Sequence, residues 1–520
     1  TAGWTPGEPV YRGLGCIVHA NQMIPVAADV CLSADIYTPA RAGRYPAVVA
    51  FAAYSIQLQS SGAPTGNNET GEPPIFTDRG YVHVIVARRG MGRSQGESVL
   101  FFNPTDVDDL VEVIEWCARQ PWCDGNVVLF GTSYYAVVQP LTATRQTPSL
   151  KGFFAHSTDT DFFRQIAMFG GAPQVDFLTL WMGANFTPLQ ERLAVPPVVR
   201  AALSHAFNSP LQRLWKPAVQ KNINHMMNGF KRLTPDIRYR QLLAQWLFDG
   251  KTRATHTIPP GPYAELDKIQ IPFVVVEDMG TLNIHQFGAY DLIEHAGTPP
   301  DRRWLIMTPP EYELPVYRWQ LEALAFFDHI LHGADNGYAA QAPVRYAVDG
   351  LPQGEYRSAP AFPIPGSKTL RWHLASRGDD WQKHGLTELP GAGINTWAAI
   401  PFGAVVPPGM DEAATPILSF EMRADRDVTY AGPVTLSLRF SCNEIDSHVI
   451  ARLGRVDLKG AYHPLSMGSI RPALRRIDET RSTSVEIVLD MDTPEPLTPG
   501  EPVTLRFSLT PRPVRLRTGE

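Results

Sequence analysis

The stretch Val127-Val-Leu-Phe-Gly-Thr-Ser-Tyr-Tyr-Ala-Val-Val138 decides how this chain is read. Its first four residues form a continuous apolar run, which predicts a strand covered on both faces. Residues 136–144 predict a helix. Between them, Gly131 and Thr132 are small enough for a sharp strand-to-helix turn that lifts the Ser133 hydroxyl above the sheet. The amide of Tyr134 then lies at a helix N-terminus, where it can donate to a developing negative charge. Ser133 is thus a candidate nucleophile and Tyr134 a candidate oxyanion donor. A plain helix N-cap at Ser133 is the competing reading.

The text on either side supports the turn. Residues 45–54, 81–86 and 150–155 are further apolar runs. Residues 106–119 place Val107, Leu110, Val111, Ile114 and Cys117 at helical spacing. Thr105 is the expected cap, and Asp106, Asp108 and Asp109 occupy the first turn, as the helix dipole favours. Strands alternating with helices predict a parallel α/β sheet. Residues 161–249 lack strand-like runs and predict a helical insertion. The sheet pattern resumes at 271–276 and 303–307, and a helix over 318–331 closes the unit. Beyond 342, short alternating segments at 370–374, 417–421, 434–440, 449–456, 484–489 and 503–509 predict a β-sandwich of jelly-roll type. The expected division is an α/β unit over 1–158 and 263–340, a helical cap over 159–262, and a sandwich over 341–520.

Composition narrows the function. The 520 residues carry 46 Lys+Arg against 52 Asp+Glu, a net charge of −6, and only 19% are charged. That balance excludes a disordered tail and a nucleic-acid binder, which needs a basic excess. Proline, at 47 residues, is enriched and marks many connections between short elements. The five cysteines lack metal-ligand spacing, so no metal or other cofactor is expected, and free thiols fit a reducing compartment. A Cys16–Cys31 bridge across a hairpin is the alternative. The longest apolar run is too short to span a membrane, and the first residues show neither a charged n-region nor an apolar h-region. The expected location is the cytoplasm. Gly90-x-Gly92-x-x-x-Gly96 has its third glycine misplaced for a dinucleotide loop.

Three blocks carry a family resemblance: Gln120-Pro-Trp-Cys-Asp-Gly-Asn-Val127 running into Gly131-Thr-Ser-Tyr134, Arg89-Gly-Met-Gly-Arg-Ser-Gln-Gly96, and Phe326-Phe-Asp-His-Ile-Leu-His-Gly333. In this order they resemble the cocaine esterase and X-Pro dipeptidyl peptidase family over nearly the whole chain. The resemblance implies an α/β-hydrolase domain with an inserted helical cap and a C-terminal jelly roll. It implies that Ser133 is the nucleophile, and that the Tyr54 hydroxyl joins the Tyr134 amide as oxyanion donor. Ala87 and Ala53 stand where Asp and Pro are usual. Two further positions depart from the pattern: Asn283 falls on the family's acid and Tyr312 on its histidine. Asn carries no charge to stabilise an imidazolium, and a phenol is a poor base near neutrality.

His156, after the run 150–155, and His285, two residues from Asn283, are the candidate replacement bases. Glu277, Asp278 and Glu311 lie on the same loops and could orient a base or act directly. Asp159 and Asp161 are read as opening the cap, Asp161 as a structural partner of Arg164. The leading expectation is Ser-based ester or amide hydrolysis or acyl transfer on a small apolar molecule. The cap aromatics Phe162, Phe163, Phe169, Phe177, Trp181 and Phe186 suit an aromatic or polyketide-like ligand. Loss of the charge relay favours a second reading: a non-hydrolytic lyase, C–C cleaving, rearranging or cyclising enzyme using carbonyl polarisation and Tyr/His acid–base help. The third is a catalytically dead ligand-binding protein. A homodimer is allowed, with no nucleic-acid or membrane partner.

Overall fold

The apolar runs become neighbours in one ten-stranded sheet of order β1-β2-β4-β3-β5-β6-β7-β8-β9-β10. In chain order the strands are β1 (Cys16–Ala27), β2 (Val30–Pro39), β3 (Tyr45–Ala52), β4 (Val82–Ala87), β5 (Cys123–Thr132), β6 (Leu150–His156), β7 (Phe273–Asp278), β8 (Arg303–Thr308), β9 (Val344–Ala347) and β10 (Tyr356–Ala359). The computed structural model describes residues 16–54, 56, 69–97, 101–185, 265–279, 284–309, 317–352, 355–376, 384–391, 393–396 and 418–520. From β4 to β9 every neighbouring pair is parallel, so all those strands deliver their C-terminal ends to one edge. In open α/β sheets, ligands gather there.

Helices cover the sheet where the sequence places them. That of Pro104–Ala118 is capped by Asn103, whose side chain accepts from the Asp106 amide at 3.0 Å. The expected cap, Thr105, is the second residue of the helix. Proline at the first helical position needs no N–H partner and arrives with helical φ, which moves the start upstream. The acids of the first turns hold the Arg-Gly loop. Asp106 pairs with buried Arg88 at 3.0 Å, and Asp109 grips Arg89 at 2.6 Å.

The expected cap enters through a π turn (Phe163–Ala167), a 3-10 turn (Phe169–Gly171) and a helix (Val175–Asn185). Its remaining residues, 186–262, lie outside the described residues. The C-terminal region is rich in strands: a three-stranded sheet of β11 (His373–Ala375), β12 (His384–Thr387) and β13 (Phe420–Glu421), and the pairs β14 (Val428–Tyr430) with β19 (Val514–Leu516), β15 (Val434–Phe440) with β18 (Val503–Leu509), and β16 (Val449–Val456) with β17 (Tyr462–Ile470). Residues 484–489, expected as a strand, form none. The Thr483 hydroxyl accepts from the amides of Val485 and Glu486 at 3.1 and 2.8 Å, folding the segment into a turn.

That turn places Glu486 in a buried cluster joining the two regions. Arg164 meets Asp161 and Asp291, each at 3.4 Å, and Glu486 across the boundary. Arg481 reinforces Asp161 at 2.9 Å, so the expected Asp161–Arg164 pair is part of a larger dock. All five cysteines are free; the hairpin register sets Cys16 opposite Pro39 and Cys31 opposite Pro25. Among the described residues no helix is long and apolar enough to cross a membrane.

His83, on β4, is fully buried against the ring of Phe76, and neither ring nitrogen finds a hydrogen-bond partner among the described residues. Burial pushes its pKa down to about 3, against about 6.5 in an unfolded chain. Below pH ~6.5 the unfolded state takes a proton that the folded state refuses, so stability falls on acidification from there to about pH 3, by up to about 1.4 kcal/mol per pH unit. His83→Leu is expected to flatten that loss between pH 7 and 4, read from urea midpoints. An unchanged pH slope would show that His83 is not its source.

Candidate active site

Four consecutive strands of the sheet, β3, β5, β6 and β7, lead into the segments that carry the site residues. Ser133 follows β5 with φ 58° and ψ −118°, the strained conformation of a strand-to-helix elbow, and the helix Tyr134–Ala143 begins directly after it. The turn is close enough that a Cβ on Gly131 would meet the Tyr135 Cβ at 2.3 Å. Neighbouring backbone fixes the elbow: the Thr132 amide donates to the Glu69 carbonyl and the Ser133 amide to the His156 carbonyl, both at 3.0 Å.

The Ser133 Oγ lies 3.1 Å from Nε2 of His285. On the far side of that ring, Nδ1 is hydrogen-bonded to a carboxylate oxygen of Asp159, which is fully buried. Ser133, His285 and Asp159 thus form one hydrogen-bonded chain with the nucleophile–base–orienter geometry of acyl-transfer sites. His285 sits on the loop leaving β7, again with φ 58°. Gln286 pins this loop by donating to the carbonyls of Ile284 at 2.6 Å and Asp278 at 3.3 Å. Asp159 follows β6 and is pressed against the helix Gly288–His295. A Cβ at Gly288 would come within 2.4 Å of the Thr158 carbonyl oxygen and 2.5 Å of the Asp159 Cα. Only glycine lets that helix approach so closely.

Tyr54, two residues past β3, is buried with its ring edge-on to Tyr134 and Tyr135, each at 5.8 Å between centroids. Its hydroxyl accepts from the indole N–H of Trp181 at 3.0 Å and interacts with the Ser133 hydroxyl. Burial first, and the charge of Glu69 second, hold the phenol well above its ordinary pKa, so it is a proton donor at neutral pH. The Tyr134 hydroxyl reaches down to Asp106 at 3.1 Å. This ties the start of the helix, and with it the Tyr134 amide, to the Arg88–Asp106 pair.

Of the two candidate bases, the structure brings His285 to Ser133 and gives the His156 ring other partners. His156 Nδ1 bonds the Thr132 hydroxyl at 3.1 Å, and its ring stacks on Trp319. Burial, with the nearby His285 second, lowers its pKa to about 3, so it is neutral and structural in its contacts. Among the acids expected to orient a base, Glu277 is buried, and desolvation first, then the charges of Asp159 and Asp278, push its pKa well above the carboxylate range. Asp278 serves the loop through its carbonyl. Asn283, Glu311 and Tyr312 lie outside the described residues. Sequence reasoning missed the role of Asp159. Its signal was a carboxylate three residues beyond a parallel strand, at the edge where ligands gather. Among the described residues no cluster of His, Cys, Asp or Glu could hold a metal ion.

A parallel sheet with an elbow serine, a histidine and a buried aspartate at its C-terminal edge defines an α/β hydrolase. The chain belongs to the X-Pro dipeptidyl-peptidase (S15) family: that family's profile matches residues 29–310, and the profile of the X-Pro dipeptidyl-peptidase C-terminal non-catalytic domain matches 336–520. Cocaine esterase of a Rhodococcus species is 25% identical over 69% of this chain and 63% of its own length. A Mycobacterium bovis protein assigned as a serine esterase is 23% identical over 97% of this chain and 88% of its own. Among solved structures, a CocE/NonD family hydrolase from Staphylococcus aureus superposes with a TM-score of 0.68 at 21% identity, covering 97% of this chain and 84% of that one. An α-amino acid ester hydrolase superposes with a TM-score of 0.59 at 18% identity, over 98% and 89%. These structural likenesses establish the fold.

Proposed function

We propose that the protein is a serine acyl hydrolase that cleaves esters of small apolar or aromatic acids through a covalent acyl-Ser133. The observation that carries this reading is the Ser133–His285–Asp159 chain. His285 Nε2 takes the Ser133 proton as Oγ attacks the acyl carbon, and Asp159 holds the other ring nitrogen and stabilises the imidazolium. The oxyanion accepts from the Tyr134 amide and the Tyr54 hydroxyl. As the tetrahedral intermediate collapses, the alcohol leaves with the proton of His285. Water, deprotonated by the same nitrogen, then attacks the acyl-enzyme; the carboxylic acid departs and Ser133 regains its proton. An ester is favoured over an amide because the curated relatives are named as esterases. Phe102 and Trp181 pack on Tyr134, with Phe162 against Phe102 and Phe101 against Trp181, which supports an apolar acyl group.

The non-hydrolytic and ligand-binding readings drew their force from a missing base, and His285 supplies one. A fluorophosphonate probe tests the choice. Labelling is expected at Ser133 of the wild-type protein and absent from Ser133→Ala, with ester turnover lost in parallel. Turnover that survives Ser133→Ala without labelling would overturn acyl-serine chemistry in favour of a non-hydrolytic reaction. Ligand binding with neither labelling nor turnover would point to a binding protein.

A further inference from the structure

We propose that Trp181 is the positioning residue of the oxyanion site: its indole N–H, donated to the Tyr54 oxygen, aims the Tyr54 O–H at the carbonyl oxygen of the bound acyl group. The inference rests on the serine-hydrolase reading above. A phenol carries one proton on a rotor, whereas an indole N–H can only donate. With Trp181 Nε1 3.0 Å from the Tyr54 oxygen, the oxygen is the acceptor of this pair, and the phenol's own proton must leave in another direction. The Ser133 hydroxyl, where the acyl carbon would be attached, interacts with that same phenol. Two restraints therefore act on one donor. Edge contacts from Tyr134 and Tyr135 fix the ring, and Trp181 fixes the rotor. A donor contributes most to transition-state stabilisation when it is aimed before the charge develops.

The same indole belongs to the aromatic cluster. Its ring lies 4.6 Å from that of Phe101 and 5.9 Å from that of Phe162, on the helix Val175–Asn185. An acyl group that packs well against the cluster leaves the Trp181–Tyr54 bond in place, and one that displaces the indole disarms the oxyanion donor. Acyl-group selection would then be expressed in kcat as well as in KM.

A double-mutant cycle on the full-length protein, with 4-nitrophenyl butyrate as substrate, tests this. Trp181→Phe is expected to lower kcat about five- to twentyfold with little change in KM, the size of one lost orienting hydrogen bond. Tyr54→Phe is expected to lower it about 10²- to 10³-fold. The double variant should match Tyr54→Phe alone, because the indole then has no hydroxyl to aim. Equal losses from Trp181→Phe in both backgrounds, or no loss of kcat in either, would overturn the proposal and reduce Trp181 to packing. If Trp181→Phe does not fold, β-benzothienylalanine at position 181 keeps the ring's shape, replaces N–H with sulfur, and is held to the same outcomes. Fluorophosphonate labelling separates the levels. Labelled Ser133 with an additive cycle sinks this inference alone, while an unlabelled wild type sinks the hydrolase reading and this inference with it.

Discussion

Asp159→Asn is expected to lower kcat for ester hydrolysis about ten-thousandfold while leaving KM within about twofold. The size follows from which group faces which nitrogen. With the carboxylate in place, His285 keeps its proton on Nδ1 and presents a bare Nε2 to Ser133. An asparagine amide that turns its NH2 to Nδ1 forces the other tautomer, and a second N–H then faces the Ser133 hydroxyl where an acceptor is required. Turned the other way, it preserves the tautomer but supplies no charge to the imidazolium. The second oxygen of Asp159 makes no hydrogen bond among the described residues, so the side-chain contact of this carboxylate is the His285 ring. His285→Ala is expected to fall to a similar floor. Pre-steady-state acylation by 4-nitrophenyl butyrate, with circular dichroism to verify folding, is the measurement. An Asp159→Asn enzyme within tenfold of wild type would remove Asp159 from the relay.

The second large effect concerns stability. Arg164→Met strands Asp161, Asp291 and Glu486 in a buried site built around a guanidinium. Removing one partner of a buried ionic cluster costs about 3–5 kcal/mol, because the remaining charges lose their compensation without regaining water. Arg481 still holds Asp161, so Asp291 and Glu486 are the carboxylates that lose most. Unfolding of such a chain need not be two-state, and the informative readout is a comparison of probes. Ester turnover is expected to vanish at a lower urea concentration than the far-UV signal, because Asp159 lies two residues before Asp161. Adding Glu486→Gln, which removes one stranded carboxylate, should recover part of the lost midpoint. If Arg164→Met unfolds at the wild-type midpoint, the cluster does not hold the two regions together.

Much of the fold could be read because buried parallel strands are continuous apolar runs, and the elbow could be read because a serine turn is a local pattern. Ser133 and Tyr134 stood out as parts of that turn, Tyr54 through the family resemblance, and His285 through its nearness to Asn283. Asp159 was not legible, because its meaning is a contact with a residue 126 positions away. A carboxylate just past a strand looks the same whether it orients a base or opens a loop. The Asn103 cap was overlooked although Pro104 announced it. Residues 484–489 misled because their apolar spacing suits a strand, while one side chain, Thr483, supplies the turn and delivers Glu486 to Arg164. In each case a hydroxyl, a proline or a distant partner overrode the hydrophobic pattern.

Six non-glycine residues among those described hold a left-handed backbone: Asn21, Phe102, Ser133, Gln146, Ser157 and His285. Four gather at the proposed chemistry, with Phe102 packed against Tyr134 and Ser157 following His156 in chain order. Such conformations cost about 1–3 kcal/mol each and persist only where the surrounding structure insists on them. The folded protein therefore holds Ser133 and His285 under conformational tension that is set when the chain folds. On the acyl-serine reading proposed above, nucleophile and base wait in the posture that the reaction needs, and the rest of the sheet is the spring that keeps them there.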